Sequence, residues 1–378
     1  MTDDKFKEIR PYSDEESVAA LKRIAAHPVL SQIAAFLFPG QDPALFRSMI
    51  ANLEGVDDFQ SNVMAVVINK ILKDTSGKLT FSGVEKLDKD KKYLYISNHR
   101  DIMLDSAIMQ VILFEAGLGT SEMAVGDNLI TDPLLEDIAR VNKMIKVIRN
   151  TNSREIYNSS VLLSEYIRHR LEDEISSVWI AQRNGRTKDG IDFTEQGLLK
   201  MLDMSGKGDF VNDFDELAIV PVSVSYEYEP CDILKAKELY VSRRQKYVKS
   251  EGEDLNSVLT GIMQFKGNIH FNFCDPISRE ELQKCSEFEK NEKFKALGEI
   301  IDKRIISTFR LWNTSYMAYD MLTGSDRFKD NYSVEEMHKF REYIDFKLSG
   351  TEDDRAETQE ILLSIYANPI ITREKLEL

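Results

Sequence analysis

Short apolar runs alternate with longer amphipathic segments through the middle of the chain. Segments with helical spacing of apolar residues, such as SREIYNSSVLLSEYIRHRLEDE (153–174), separate runs that are rich in β-branched and aromatic residues. Strands separated by helices form βαβ units, so we predict an α/β fold with a mostly parallel mixed sheet flanked by helices. The predicted strands are YLYIS (93–97), MAVG (123–126), MIKVI (144–148), VWIAQ (178–182), LAIVPVSVSY (217–226) and NIHFNF (268–273).

Helical patterns precede and follow this region. SDEE (13–16) has the form of a capping box, and FQSNVMAVVINKIL (59–72) predicts an apolar helix. We therefore expect a helical N-terminal region at 1–88, an α/β domain at 89–277, and a helical C-terminal region at 278–378 that packs on it. Pro221 lies inside a predicted strand and indicates an edge strand or a bulge at that position.

Composition narrows the class of protein. The 378 residues are 42% hydrophobic and 30% charged, which is ordinary for a globular protein, and the net charge of −15 disfavours nucleic acid as a partner. The spacing of the three cysteines suggests neither disulfides nor a zinc site, so no metal is expected. The start MTDDKFKEIR lacks the apolar segment of a signal peptide, and no apolar run approaches the roughly 20 residues of a membrane span. We expect a cytoplasmic protein.

Polar residues follow the predicted strands in four places. In an open α/β sheet, ligands bind outside the carboxyl ends of the strands, so these segments are expected to lie close together. The segments are NHRDIMLD (98–105), GDNLITDPLLEDIARVNKMIKVIRN (126–150), WIAQRNGRTKDG (179–190) and IVPVSVSYEYEPCD (219–232).

The first segment admits two interpretations. His99 could be a general base that a neighbouring carboxylate orients, because histidine changes charge near neutral pH. Alternatively, Asp101 caps the helix that follows and His99 is only a polar loop residue.

The third segment is a basic turn. Arg183, Arg186 and Lys188, with Lys143 and Arg149 nearby, would bind a phosphate group strongly. Gly185 and Gly190 would let the backbone approach a ligand closely. The chain contains no glycine-rich nucleotide-binding motif. It also lacks the zinc-protease motif H-E-x-x-H and the serine-hydrolase motif G-x-S-x-G.

The four segments, in this order, resemble the four motif blocks of the glycerolipid acyltransferase family over roughly residues 90–235. Asn98, His99 and Asp105 match the first block, and GDNL (126–129) with Arg149 matches the second. WIAQRNGR matches the third and is similar in style to the soluble plastid glycerol-3-phosphate acyltransferases, whereas IVPVSV matches the fourth.

This resemblance implies transfer of a fatty acyl group from a thioester to a hydroxyl of glycerol-3-phosphate or 1-acylglycerol-3-phosphate, in phospholipid biosynthesis. His99 would be the general base, Asp105 its partner, and acyl carrier protein or coenzyme A would carry the acyl group, with no further cofactor. The expected substrate-binding residues are Asn98, Arg100, Lys143, Arg149, Arg183, Asn184, Gly185 and Arg186.

Two departures from the family pattern leave alternatives open. Five residues rather than four separate His99 from Asp105, so Asp101 is a second candidate partner for the histidine. Asn184 stands where many bacterial members have a glutamate. A non-catalytic protein that binds lipid phosphates or a membrane surface is therefore the rival interpretation.

The sequence says less about the acyl donor and about contacts with a carrier protein or a membrane. The segment KAKELYVSRRQKYVK (235–249) could dock an acidic carrier protein or anionic lipids, or it could be an ordinary solvated helix face. A peripheral contact with the inner face of the cell membrane is compatible with this composition. Acyl chain length, donor, acceptor form and oligomeric state are not specified by the sequence.

Overall fold

Seven strands form one mixed sheet in this computed structural model, which describes residues 5–149 and 152–378. Their order is β1-β7-β6-β2-β5-β3-β4, so β2 lies in the middle. The strands are β1 Leu79–Ser82, β2 Leu94–Ser97, β3 Glu122–Gly126, β4 Met144–Val147, β5 Val178–Ala181, β6 Ile219–Tyr226 and β7 Ile269–Phe273.

Five strands, β2 to β6, run in one direction. β2 pairs in parallel with both β5 and β6, and β3 pairs in parallel with β4 and β5. β7 is antiparallel to β6, and β1 is parallel to β7, so these two strands run the opposite way. The prediction of an α/β fold with a mostly parallel mixed sheet is confirmed.

β1 was not predicted from the sequence. It lies within 79–82, inside the range expected to be helical, and its side chains are mostly half-buried or exposed. Four residues at the edge of a sheet carry too weak an apolar alternation to be distinguished from a loop.

The edge-strand interpretation of Pro221 is wrong, because β6 lies between β2 and β7. Pro221 pairs with Ile96 of β2, whereas the pairing with β7 starts one residue later, at Val222 and Phe273. The Pro221 carbonyl accepts a hydrogen bond from Cys274 N at 2.9 Å, just beyond the end of β7. The missing N–H of proline therefore falls where the β6–β7 ladder has already ended.

Helices precede the sheet, cover both of its faces and follow it. A π-helical turn, Gln60–Met64, joins two of the first helices. The helices before β2 are α1 Asp14–Ala26, α2 Val29–Leu37, α3 Pro43–Ala51, α4 Val56–Phe59 and α5 Ala65–Thr75. Those between β2 and β7 are α6 Leu104–Glu115, α7 Pro133–Val141, α8 Ser153–Glu172, α9 Gln196–Asp203, α10 Phe210–Asp215, α11 Asp232–Ser242 and α12 Glu253–Met263. After β7 come α13 Arg279–Ser286, α14 Glu292–Thr308, α15 Asn313–Thr323, α16 Val334–Leu348 and α17 Arg355–Lys375. Three short 3₁₀ turns are Val84–Lys86, Asp127–Leu129 and Lys329–Asn331.

The core lies on both faces of the sheet. Successive residues of a strand point to opposite faces, so Ile96 joins the cluster under α8 and α14, while Tyr95 joins the cluster under α6. Because both faces are buried, the central strands read as continuous apolar runs rather than as alternating ones.

The C-terminal helices support the loop that follows β5. Asn368 of α17 donates a hydrogen bond to the carbonyl of Asp189 at 2.7 Å. A side chain at Gly190 would approach the carbonyl of Ile365 to 2.2 Å, so this glycine meets α17 and not a ligand, contrary to the expectation from sequence. The last helix thereby fixes the loop from behind.

Candidate active site

The segment after β2 carries the central side chains of the site. β2 is flanked by β5 and β6, so the carboxyl ends of three parallel strands meet here. Asn98 is fully buried and exchanges hydrogen bonds with the backbone of Val224, donating to its carbonyl at 2.9 Å and accepting from its N–H at 2.8 Å. This amide fastens the end of β2 to β6, and His99 follows it.

His99 and Asp105 are in hydrogen-bond contact. His99 Nδ1 lies 2.9 Å from Asp105 Oδ2, with the histidine side chain 12% exposed and the aspartate 1% exposed. The same oxygen accepts the backbone N–H groups of Arg100 and Asp101, and Asp105 Oδ1 accepts the hydroxyl of Tyr226 at 2.7 Å. The extra residue is accommodated because the turn wraps around this one carboxylate.

Asp101 has a different task. Its Oδ1 accepts the N–H groups of Met103 and Leu104 at 2.9 and 2.8 Å, so Asp101 caps α6. Burial and the neighbouring Asp105 carboxylate raise the pKa of Asp101. Burial also acts to raise the pKa of Asp105, but His99 and the other donors outweigh it and hold that pKa below its usual value. Asp105 therefore has the lower pKa of the two carboxyl groups.

A basic cleft of about 260 Å³ opens beside His99. Five cations and two carboxylates line it, so the cleft is locally positive in a chain of net charge −15. Arg183 Nε and Arg186 Nη1 are buried, with no hydrogen-bond partner among the residues that the structure describes. The charged residues of the cleft are Arg149, Arg183, Arg186, Lys188, Lys249, Asp189 and Asp254.

A more apolar groove of about 350 Å³ adjoins the cleft on the other side of His99. The two cavities share His99, Arg149, Arg183, Asn184 and Gly185 among their lining residues. The further apolar lining of the groove comes from the ends of β3, β4 and β5 and from α8 and α9. His99 therefore lies where a positively charged cleft and an apolar groove meet.

One buried carboxylate connects the two loops that form the site. Asp192 Oδ2 accepts hydrogen bonds from Asn98 and from Arg100, and its Oδ1 accepts the hydroxyl of Thr187 at 2.6 Å. Thr187 N also donates to the carbonyl of His99 at 2.7 Å. The histidine segment and the basic turn are thus joined directly.

Five of the eight predicted substrate-binding residues line the cavities beside His99. They are Arg149, Arg183, Asn184, Gly185 and Arg186.

Asn98 and Arg100 were predicted to bind substrate, but both are buried in the scaffold. Asn98 uses its amide on Val224 and Asp192, as described above. The Arg100 guanidinium is 1% exposed and pairs with Asp192 at 2.5 Å and Glu229 at 3.3 Å. Burial opposes its charge, but these carboxylates outweigh that effect and raise the pKa of Arg100. Neither side chain lines the cleft.

Lys143 was also predicted to support the phosphate, and the structure places it elsewhere. It precedes β4, whereas Arg149 follows that strand, so the two lie at opposite ends of β4. Lys143 Nζ donates to Thr120 at 2.9 Å and pairs with Asp57 at 3.2 Å. Residues close in sequence were separated because the strand between them spans the sheet.

The basic segment 235–249 does not form one exposed patch. Lys235 is buried and pairs with Glu229 at 2.6 Å, while Arg243 and Arg244 pair with Glu357 on α17. Lys249 instead lines the cleft and pairs with Asp254 at 2.5 Å. Most cations of this segment therefore pair with carboxylates of the same chain, which weakens the interpretation that the segment docks a carrier protein or anionic lipids.

Sequence reasoning missed several contributors to the site. Tyr226 holds Asp105, and Trp179 packs edge-on against His99 with ring centroids 5.8 Å apart. Tyr226 ends a predicted strand, so its place at the carboxyl edge was a usable signal. Lys249 reaches the cleft through long-range packing, for which the sequence holds no local signal.

Gly126→Ala should weaken binding of a phosphate in the cleft. A Cβ at this position would lie 2.7 Å from Arg149 Nε and 2.5 Å from Asn128 Oδ1, so both flexible side chains must move. We expect the KM of a phosphate-bearing substrate to rise roughly fivefold. Weakening one charge-assisted hydrogen bond by about 1 kcal/mol would produce a change of this size. Steady-state kinetics would measure it. Gly350→Ala, where a Cβ would meet nothing within 4 Å, is the matched control; equal KM values for both variants would contradict this role of Arg149.

Comparison with known proteins gives a family match for part of the chain. The Acyltransferase family model matches residues 78–225, from just ahead of β1 into β6. This part of the chain is therefore similar to the acyltransferase family.

Among solved structures, the chain matches the crystal structure of the 1-acyl-sn-glycerophosphate (LPA) acyltransferase PlsC from Thermotoga maritima. The identity is 11% and the TM-score is 0.40, over 78% of this chain and 95% of that one. Comparison with curated proteins gives no match.

Proposed function

We propose that this protein is an acyltransferase that moves a fatty acyl group from a thioester to a hydroxyl of a glycerol phosphate, for phospholipid synthesis. The observation that carries the proposal is the His99–Asp105 pair at the junction of the basic cleft and the apolar groove. The cleft suits a phosphate and the groove suits an acyl chain, so the two substrates would meet at the histidine.

In the proposed reaction, His99 acts as the general base. Nδ1 faces Asp105, which leaves Nε2 to accept the proton of the acceptor hydroxyl. The hydroxyl oxygen attacks the thioester carbonyl, and the tetrahedral intermediate collapses as the C–S bond breaks. His99 returns the proton to the departing thiolate. Asp105 keeps the ring in the required tautomer and stabilises the imidazolium.

Arg149, Arg183 and Arg186 would hold the phosphate. A guanidinium group can donate two parallel hydrogen bonds to two oxygens of one phosphate. Arg183 and Arg186 each have a buried nitrogen without a hydrogen-bond partner among the described residues. Backbone N–H groups of the turn at Gly185, which lines both cavities, would stabilise the oxyanion. Positioning the acceptor against His99 would contribute a large part of the rate.

The thioester would come from acyl carrier protein or coenzyme A, and it is already activated, so no acyl-enzyme is required. The acceptor would be glycerol-3-phosphate or its 1-acyl form. The rival interpretation, a non-catalytic lipid-phosphate protein, rests on the extra residue between His99 and Asp105. The 2.9 Å contact between them supports the enzyme instead.

Acyl transfer by the purified protein tests the proposal. Palmitoyl-coenzyme A and palmitoyl-carrier protein are each offered with glycerol-3-phosphate and with 1-acylglycerol-3-phosphate, and product is followed by mass spectrometry. His99-dependent product in any combination is the expected result and names donor and acceptor together. A folded protein that binds the phosphate compounds but forms no product would favour the binding-protein interpretation.

Acceptor binding should weaken as the pH rises through about 8. Burial and the neighbouring cations, first Lys249 and then Arg186, lower the pKa of Lys188 to about 8, while the Glu253 carboxylate acts against them. The ammonium charge is present below that pH and lost above it, so the acceptor KM should rise between pH 7 and pH 9. Lys188→Arg, which stays charged, should flatten the profile. An unchanged slope in that variant would assign the titration to another group.

A further inference from the structure

Helix α12 exposes an apolar stripe to solvent, while its Ile262 packs inward against the core cluster under α6. Leu255, Leu259 and Met263 repeat every four residues along one face and are 62%, 48% and 60% exposed. The opposite face presents the buried residues Ser257 and Gly261 to the protein. A second apolar stripe that stays exposed on the surface indicates a surface that meets another apolar phase. We call these three residues the apolar ridge.

The ridge helix contacts the active site. A Cβ at Gly261 would lie 2.1 Å from Asp101 Oδ2, so the helix packs closely on the segment that carries His99 and Asp105. Asp254, in its first turn, lines the basic cleft and accepts a hydrogen bond from Asn128 at 3.1 Å. Whatever meets the ridge therefore lies beside the entrance to the cleft.

The chemistry of the ridge fits lipid better than an acidic carrier protein. Residues 255–265, LNSVLTGIMQF, contain no charged residue in a chain that is 30% charged. Phe265 and Val248, 55% and 78% exposed, extend the apolar surface at both ends. An acidic carrier would require cations, and these are absent from the segment. A lipid surface requires exposed apolar side chains with polar groups beside them.

We propose that the apolar ridge seats the protein on the surface of a lipid bilayer, with the basic cleft at the level of the headgroups. No helix in the described part of the chain is long and apolar enough to cross a membrane. An acceptor that already carries an acyl chain could then pass from the bilayer into the cleft; this last step rests on the proposed acyl transfer, whereas the docking itself does not.

Vesicle binding tests the docking without any turnover. The ridge variant combines Leu255→Gln, Leu259→Gln and Met263→Gln, since glutamine is a good helix former. A matched variant combines Phe114→Gln, Ile175→Gln and Phe288→Gln. It removes three exposed apolar side chains on the side of the sheet where the parallel strands begin. Each protein is sedimented with vesicles of phosphatidylcholine and phosphatidylglycerol, and its melting temperature confirms folding.

Wild type, the matched variant and His99→Ala should bind the vesicles alike, and the ridge variant should bind about tenfold more weakly or worse, because the apolar area removed from water is lost. Equal binding by the ridge variant, or no binding by wild type, would overturn the docking. Loss of carrier-protein binding with vesicle binding intact would assign the ridge to the carrier instead. Because His99→Ala is expected to bind, failure of the proposed chemistry is distinguishable from failure of the docking.

Discussion

His99→Ala should lower kcat by about 10²- to 10⁴-fold, the contribution that general-base catalysis makes to proton transfer. The acceptor KM should change little, because the substitution does not touch the arginines that we propose hold the phosphate. The melting temperature should also stay close to that of wild type, since the His99 ring forms one edge of a cavity and is not part of the packed core. Product formation under saturating donor and acceptor would measure the loss.

His169→Ala is the matched control for that experiment. His169 forms a similar pair with Asp173, at 2.6 Å, but near the end of α8 and away from the cleft. It should retain wild-type turnover. A His99→Ala protein that keeps a substantial fraction of wild-type kcat would remove His99 as the base, whatever the control shows.

Arg186→Ala should raise the acceptor KM about 10- to 100-fold. A hydrogen bond to a charged group contributes about 1.5–3 kcal/mol, and each 1.4 kcal/mol corresponds to about tenfold in binding. Arg186 has a buried nitrogen available for the phosphate, so its loss leaves the anion with fewer donors. The donor KM should stay unchanged. Initial rates at varied acceptor concentration would separate the two.

Two further variants define what Arg186 contributes. Arg186→Lys keeps the charge but loses the paired donors, so its KM should fall between those of wild type and Arg186→Ala. Arg279→Ala removes a surface cation that pairs with Asp215, close to where β6 begins and away from the carboxyl ends of the strands. This substitution should leave the KM unchanged. If both alanine variants raised the KM equally, general electrostatic attraction would explain the effect and the phosphate would bind elsewhere.

The sheet was predictable because its central strands are buried on both faces. Their continuous apolar runs differ from the amphipathic helices between them, and six of the seven strands follow from that contrast. β1 escaped because an edge strand of four residues has little apolar signal. The order of the strands is set by crossovers between distant parts of the chain, which single-sequence patterns do not encode.

Residues that line the two cavities were predictable where a strand end and a charged side chain coincide, as at His99, Arg149 and the 183–186 turn. The same rule failed for Arg100 and Lys143, for different reasons. Arg100 occupies a strand end but turns inward to Asp192 and Glu229. Lys143 lies at the amino end of its strand. The direction of a side chain and the edge of the sheet are properties of the folded chain, and sequence adjacency does not reveal them.

The link through Asp192 has a consequence for regiochemistry. This carboxylate and the Thr187–His99 hydrogen bond join the histidine segment to the basic turn, so they hold the proposed base in place relative to the proposed phosphate site. The span between them is therefore a fixed length. A glycerol phosphate anchored by its phosphate would present its carbons along that span, and only the hydroxyl at the matching distance would reach the imidazole. In the proposed reaction, the scaffold would thereby select which hydroxyl is esterified.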